Sequence, residues 1–137
     1  MRFMLIRKAG ENTERGDPPG PGLLEAMTEY NEALAKAGAL VDGAGLKPSS
    51  EGARIRIDGV GGKPPVVTDG PFAEVKELVA GFTIINVASK EEAIAWVKRW
   101  PPEDGPVEIE LRPLYEIDDF EEWGSVDRMR DLLEKKS

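Results

Sequence analysis

The chain is organised around one stretch, TDGPFAEVKELVAGF, at residues 68–82. It joins a tight turn to an aromatic residue, then to alternating acids with one lysine, and finally to a strand. The Asp69 carboxylate can bond the backbone two residues on, Gly70 tolerates a positive φ, and Pro71 fixes its own φ. A loop this rigid indicates that something is held in place beside it, without identifying what.

Composition narrows the chemistry. The chain has 137 residues, of which 40% are apolar, enough for one domain with a sizeable core. It contains no cysteine and no histidine, so disulfides, thiolate catalysis and the commonest general base are excluded. The acids show no metal-loop spacing. We therefore expect no metal, no haem and no other cofactor.

Charge and hydropathy limit the kinds of partner and the location that the protein can have. Eighteen basic residues stand against 26 acidic ones, a net charge of −8, which argues against nucleic acid and anionic membranes as partners. The first apolar run is broken by charge too early for a signal peptide, and no apolar stretch approaches membrane-spanning length. The expected location is the cytoplasm.

Hydrophobic periodicity predicts the order of elements. Strands are expected at residues 2–8, 39–47, 82–87 and 107–113, a hairpin at 53–68, and helices at 23–37 and 89–100. Ser89 and Glu92 form a capping box before the second helix. The order is β-α-β-β-α-β with an inserted β-hairpin, which indicates an α+β, ferredoxin-like protomer. Residues 9–22 are expected to be a polar loop, and residues 118–136 an extra acidic C-terminal helix.

The second face of the predicted sheet has no cover. Helices protect one face of such an antiparallel sheet, while Phe3, Leu5, Phe82 and Ile84, or their alternates, point to the other. A second copy of the chain is the simplest cover, which predicts a homodimer.

The central loop contains three candidates for a functional role: Asp69, Phe72 and Lys76. Lys76 stands between Glu74 and Glu77, and it belongs either to a surface ion network or to a site for an anionic ligand or a proton transfer. For Asp69, a role in forming the turn is favoured over a catalytic role. Phe72 fits a core or dimer seam as well as a stacked ligand.

Charges on the last strand are a second set of candidates. If Ile109 and Leu111 face the helices, Glu110 and Arg112 face the other side, where charges need partners. We expect Lys76, Glu77, Glu110 and Arg112 to form one network, which Arg7 joins. The predicted ligand-binding residues are therefore Arg7, Asp69, Phe72, Lys76, Glu77 and Arg112, and the catalytic candidates are Lys76, Glu110 and Asp69.

The motif DGPFAEVKE at residues 69–77, with Gly81-Phe82, the helix start at 89–94 and Glu110-Leu111-Arg112-Pro113, resembles YCII-related proteins of the DGPF-domain type. The resemblance implies a domain at residues 1–117, a C-terminal extension at 118–137, and a dimeric α/β-barrel. Smaller YCII relatives carry a His–Asp pair proposed as an active site, which cannot transfer to a chain without histidine. Many DGPF proteins are linked to extracytoplasmic-function sigma factors, which implies a regulatory or stress-related setting.

Three functions are consistent with these features. The first is a homodimer that binds a small molecule in a cleft between sheet and loop. The second is a cofactor-independent enzyme of the dimeric α/β-barrel type that uses Lys76 or a carboxylate for proton transfer. The third is a regulatory protein whose acidic C-terminal helix docks on a protein partner.

Overall fold

A computed structural model describes residues 1–136 and has six strands. They are β1 (Arg2–Lys8), β2 (Leu40–Gly45), β3 (Ala53–Arg56), β4 (Val66–Asp69), β5 (Val79–Asn86) and β6 (Ile109–Pro113). Four of them form an antiparallel sheet in the order β2-β5-β1-β6, and β3 pairs with β4 as a separate hairpin. The α+β class is confirmed, and apart from α1 the strands and α-helices follow the predicted order.

Four α-helices accompany the strands: α1 (Glu11–Arg15), α2 (Leu23–Lys36), α3 (Lys90–Val97) and α4 (Asp127–Lys136). The predicted cap of α3 is confirmed, because the Ser89 hydroxyl accepts the Glu92 N–H at 3.2 Å. Gly38 follows α2 with φ 73°, a conformation that favours glycine. Within residues 1–136 no helix is both long enough and apolar enough to cross a membrane.

The core lies between the sheet and helices α2 and α3. Phe3 and Leu5 of β1 and Ile85 of β5 point to the helices and are almost fully buried. Tyr30 of α2 is buried among them and donates its hydroxyl to the Trp96 carbonyl at 2.6 Å. Burial raises the pKa of Tyr30 to about 12, which keeps this donor protonated.

Alternation along the strands places other apolar residues on the opposite face of the sheet. Met4 and Ile6 of β1 lie there with Phe82 and Ile84 of β5, and all four are only half-buried. Of the residues expected on this side, Phe82 and Ile84 lie there, whereas the alternates Met4 and Ile6 take the place of Phe3 and Leu5. We call this side the open face of the sheet.

Two segments differ from the predicted elements. Residues 9–22 are not wholly loop, because α1 forms within them and Glu14 of α1 is held by Ser49. The acidic C-terminal region is not one helix either. A 3₁₀ helix at Ile117–Trp123 comes first, Gly124 follows it with φ 156°, and α4 begins only at Asp127. Ser137, the end of the predicted extension, lies outside the described residues.

Candidate functional site

A cavity of about 610 Å³ lies between α2 and the sheet. It opens at the end of the sheet where β1 and β2 finish and β5 begins, since Arg7, Gly45 and Gly81 lie on neighbouring strands there. We call it the cleft. Its walls come from α2, from strands β1, β2 and β5, and from the segment after α3, and the side chains used below are Arg7, Met27, Asn31, Thr83, Trp100 and Asp104.

Glycines form the floor of the cleft. Gly43 pairs with Thr83 and Gly45 with Gly81. A Cβ atom at Gly43 would come within 3.1 Å of the Phe82 carbonyl oxygen, and one at Gly81 within 3.0 Å of the Ala44 carbonyl oxygen. Glycine inside a strand often marks a place where another group approaches the backbone closely. Here the absence of side chains keeps the cavity open.

A bulge in β2 decides which residues face the cleft. Leu40 pairs with Ile85, but Asp42 already pairs with Ile84, so Val41 is an extra residue in the edge strand. Without the bulge, Asp42 would lie opposite Thr83 and Ala44 opposite Gly81. With the bulge, Gly43 lies opposite Thr83 and Gly45 opposite Gly81, so glycines occupy these two positions of the cleft floor.

A buried ion pair forms one wall. Arg7 donates from Nε to Asp104 Oδ2 at 3.0 Å and from Nη2 to Oδ1 at 2.8 Å, in the bidentate geometry that favours arginine. The indole N–H of Trp100 donates to the same Oδ2 at 2.9 Å. The side chains of Arg7 and Asp104 are only 11% and 10% exposed, so this wall is rigid and electrically neutral.

Several polar groups of the cleft have donors to spare. A guanidinium has five N–H groups. In Arg7, two of these N–H groups donate to Asp104 and one donates to the Lys8 carbonyl at 2.8 Å, so two N–H groups have no acceptor within the described residues. Among the described residues, neither the Thr83 hydroxyl nor the side-chain amide of Asn31 has a hydrogen-bond partner. The cleft therefore combines hydrogen-bonding groups with an apolar wall that includes Met27 and Trp100.

The central loop is tied to its neighbours rather than to the cleft. The Phe72 N–H donates to Ser49 Oγ at 3.1 Å, the Gly70 N–H to the Gly52 carbonyl at 3.0 Å, and Arg54 lies 3.9 Å above the Phe72 ring. Ser49 also donates its hydroxyl to Glu14 and its N–H to the same carboxylate. The loop is as well anchored as its composition predicts.

The anchoring differs from prediction in two details. Asp69 ends β4 opposite Ala53, and within the described chain its carboxylate bonds no backbone group, so the predicted turn bond is wrong. Gly70 has no positive φ. Its Cβ position would overlap the Ser49 carbonyl oxygen, so close approach explains this glycine.

The charged residues do not form the predicted network. Alternation is confirmed: Ile109 and Leu111 pack on the core, and Glu110 pairs with Arg112 at 3.2 Å on the other side. That pair is exposed, at 40% and 68%. Among the described residues, no ion pair includes Lys76 or Glu77. The reason is distance, because β1 separates β6 from β5 and from the loop that leads into it.

Arg7 and Arg112 cannot share a site within one copy. Arg7 lies on the helix side of β1, while Arg112 pairs with Met4 and lies on the open face. Of the six predicted ligand-binding residues, Arg7 alone lines the cleft, and Asp69, Phe72, Lys76, Glu77 and Arg112 lie outside it. A binding role for these five stays a prediction.

Sequence reasoning missed most of the cleft. Trp100 ends the predicted helix at 89–100 and Thr83 lies inside the predicted strand at 82–87, whereas Asp104 belongs to no predicted element. The partner of Arg7 is 97 positions away in a proline-rich turn, and no local motif marks it. Nothing in the spacing of Asn31 and the β2 glycines indicates a cavity.

The fold is that of an α+β protein whose antiparallel sheet carries helices on one face and a cleft at one end. Comparison with protein families matches residues 1–117 to the YCII-related domain, and the chain belongs to this family. It is also similar to an uncharacterised protein of Rhizobium meliloti (strain 1021), with 34% identity over 96 residues, which cover 68% of this chain and 75% of the relative. Residues 118–136 lie beyond the family match.

Proposed function

We propose that this protein is a homodimer that binds a small molecule in the cleft. The observation that carries the proposal is the cavity itself, since about 610 Å³ falls within the usual range for small-molecule sites. Its glycine floor, its rigid Arg7–Asp104 wall and its spare donors are the features of a preformed site. A mixed lining of this kind suits a small amphipathic molecule that carries oxygen acceptors.

The open face supports the homodimer. Met4, Ile6, Phe82 and Ile84 are half-buried there, while α2 and α3 pack with Phe3, Leu5 and Ile85 on the opposite side of the sheet. A second copy would bury them and give the dimeric α/β-barrel with ferredoxin-like protomers that the DGPF resemblance implies. The same resemblance supports a sigma-factor-linked or stress-related setting, and the charge and hydropathy of the sequence support a cytoplasmic location.

The geometry favours binding over the enzyme alternative. Lys76 is exposed in the turn at Val75–Glu77 and lies outside the cleft. Two acidic residues line the cleft. Asp104 already accepts three hydrogen bonds, from Arg7 and Trp100, and Asp42 accepts one from the Gly43 N–H. A group held in this way is suited to shaping a wall rather than to moving a proton.

Gly45→Leu is expected to abolish ligand binding while the protein stays folded. A Cβ atom at Gly45 meets no atom within 4 Å, and the residue lines the cleft, so we expect the side chain of a leucine there to occupy part of the cavity. Wild-type protein is screened against a library of small metabolites by thermal shift. A compound at 100 times its Kd should stabilise the native state by about 2.7 kcal/mol.

Gly20→Leu is the matched control, because Gly20 also has no atom near its Cβ position but lies outside the cleft. Compounds that stabilise wild type should stabilise the control equally and leave Gly45→Leu unchanged. Equal stabilisation of Gly45→Leu would show that the ligand binds elsewhere. A library without any stabilising compound would count against the binding function itself.

The homodimer is tested by light scattering coupled to gel filtration at micromolar concentration. The expected mass is twice the 15.0 kDa of one chain. Phe82→Glu, which puts a charge on the open face, should shift the protein toward the monomer, because a buried unpaired charge is costly. A monomer mass for wild type would overturn the proposed assembly.

A further inference from the structure

A single side chain stands on the glycine floor of the cleft. Two pairs of residues on neighbouring strands make up this floor: Thr83 of β5 lies opposite Gly43 of β2, and Gly81 lies opposite Gly45. Because the other three are glycines, Thr83 supplies the only side chain among the four. Its hydroxyl is therefore the polar side-chain group that a ligand lying on this floor would meet.

The Thr83 hydroxyl lies in a buried residue and has no partner. Alternation places Thr83 on the same face of β5 as the core residue Ile85, and Thr83 is only 5% exposed. Within residues 1–136, no hydrogen bond includes this hydroxyl, and no polar side-chain atom sealed from solvent lacks a partner. The hydroxyl oxygen therefore reaches the open space of the cleft. A hydroxyl buried without a partner does not stabilise a fold, so its presence calls for another explanation.

The surroundings of Thr83 leave donors available to a ligand. A Cβ atom at Gly43 would lie 3.6 Å from Thr83 Oγ1, so glycine at this position keeps the hydroxyl uncovered. On β1, the residue opposite Gly81 is Arg7. Its two N–H groups without an acceptor in the described chain are one on Nη1 and one on Nη2. Hydrogen-bond donors thus stand beside the floor, and they favour a ligand that accepts hydrogen bonds.

The charge of the cleft distinguishes between two kinds of acceptor. An accepting oxygen can belong to an uncharged carbonyl group or to a carboxylate. The lining has one base, Arg7, and two acids, Asp42 and Asp104. Since Arg7 is already paired with Asp104 at 2.8 Å, a carboxylate would enter a site whose lining supplies no unpaired cation. An uncharged carbonyl oxygen accepts the same hydrogen bonds without that cost.

We propose that the ligand of the cleft is an uncharged carbonyl compound, an amide, ester or ketone with an apolar body, and that Thr83 selects it by donating its hydroxyl to the carbonyl oxygen. This inference rests on the proposed binding function. Met27 and Trp100 line the same cleft and supply apolar contacts for the body of the ligand. Thr83 is then a specificity-determining residue, in a site that the glycines keep open.

Thr83→Val is expected to weaken the binding of such a compound without weakening the fold. The probe is benzylacetone, a phenyl ketone, titrated into isotopically labelled protein while NMR follows the amide signals of Gly43, Gly81 and residue 83. Valine has nearly the shape of threonine but lacks the hydroxyl, so the affinity should fall about fivefold, the usual effect of losing one hydrogen bond. The urea midpoint of unfolding should stay the same or rise, whereas the loss of a structural hydroxyl would lower it.

Thr83→Ser and Thr28→Val are the matched controls. Thr83→Ser keeps the hydroxyl and should bind benzylacetone nearly as tightly as wild type does. Thr28 lies outside the cleft and donates its hydroxyl to the Leu24 carbonyl at 2.8 Å, so Thr28→Val should leave the affinity unchanged. Equal affinities of Thr83→Val and wild type for benzylacetone would overturn the role of Thr83.

A second probe, hydrocinnamate, tests the effect of charge. It has the phenyl group and chain of benzylacetone but ends in a carboxylate, and it should bind wild type about tenfold more weakly. Binding as tight as that of benzylacetone would overturn the uncharged class while the binding function stands. If neither probe shifts these amide signals but library compounds stabilise wild type and not Gly45→Leu, the ligand class is likewise wrong. If the library gives no such compound either, the proposed binding function itself fails.

Discussion

Asp104→Ala is expected to lower the free energy of unfolding by about 3–5 kcal/mol, the usual loss when one partner of a buried ion pair is removed. The substitution leaves the Arg7 guanidinium, 11% exposed, without its counterion, and it removes the acceptor of the Trp100 indole N–H. A single domain is stable by only about 5–15 kcal/mol, so the loss should be plain in urea denaturation.

Arg112→Met is the control for this experiment. Its partner Glu110 lies at 3.2 Å, but Arg112 is 68% exposed, so the expected loss is about 0–1 kcal/mol. If Arg112 belonged to a buried charge network, the expected loss of stability would be larger, about 3–5 kcal/mol. Similar losses for Asp104→Ala and Arg112→Met would mean that the Arg7–Asp104 pair is solvated, and the cleft would lose its rigid wall.

Gly70→Ala is expected to destabilise the protein by about 1–3 kcal/mol and to release the central loop. The new Cβ atom would overlap the Ser49 carbonyl oxygen. The nearest atoms, in Ser49 and Ser50, belong to the backbone and cannot swing aside, so the loop must move away. Movement would break the bond from the Phe72 N–H to Ser49 Oγ. Amide hydrogen exchange at Phe72 should therefore speed up more than exchange at the core residue Ile85.

Gly20→Ala provides the comparison, because nothing lies within 4 Å of its Cβ position. Alanine has less conformational entropy than glycine in the unfolded chain, so the stability of that variant should be unchanged or slightly higher. Unchanged protection of the Phe72 amide in Gly70→Ala would show that the loop tolerates the extra atom, and that its glycine has another explanation.

Much of the fold follows from short-range patterns in the sequence. Alternation from Arg2 to Lys8 and in Ile109–Pro113 identified strands and correctly separated Ile109 and Leu111 from Glu110 and Arg112. Helical spacing and the Ser89 cap identified α2 and α3. These features depend on residues within a few positions of one another, where backbone geometry and burial impose a period that the sequence displays directly.

The cleft depended on tertiary structure instead. Its ion pair joins Arg7 to a residue 97 positions away, its glycine floor depends on a one-residue bulge at Val41, and Gly70 is required because Ser49 lies against it. None of these has a local signature, since a pairing register or a close approach is set by packing between distant segments. The sequence by itself determined the order of the main elements, the family and the two faces of the last strand, while only the packed chain decided the faces of β1 and β2, which charges are buried and where a ligand can enter.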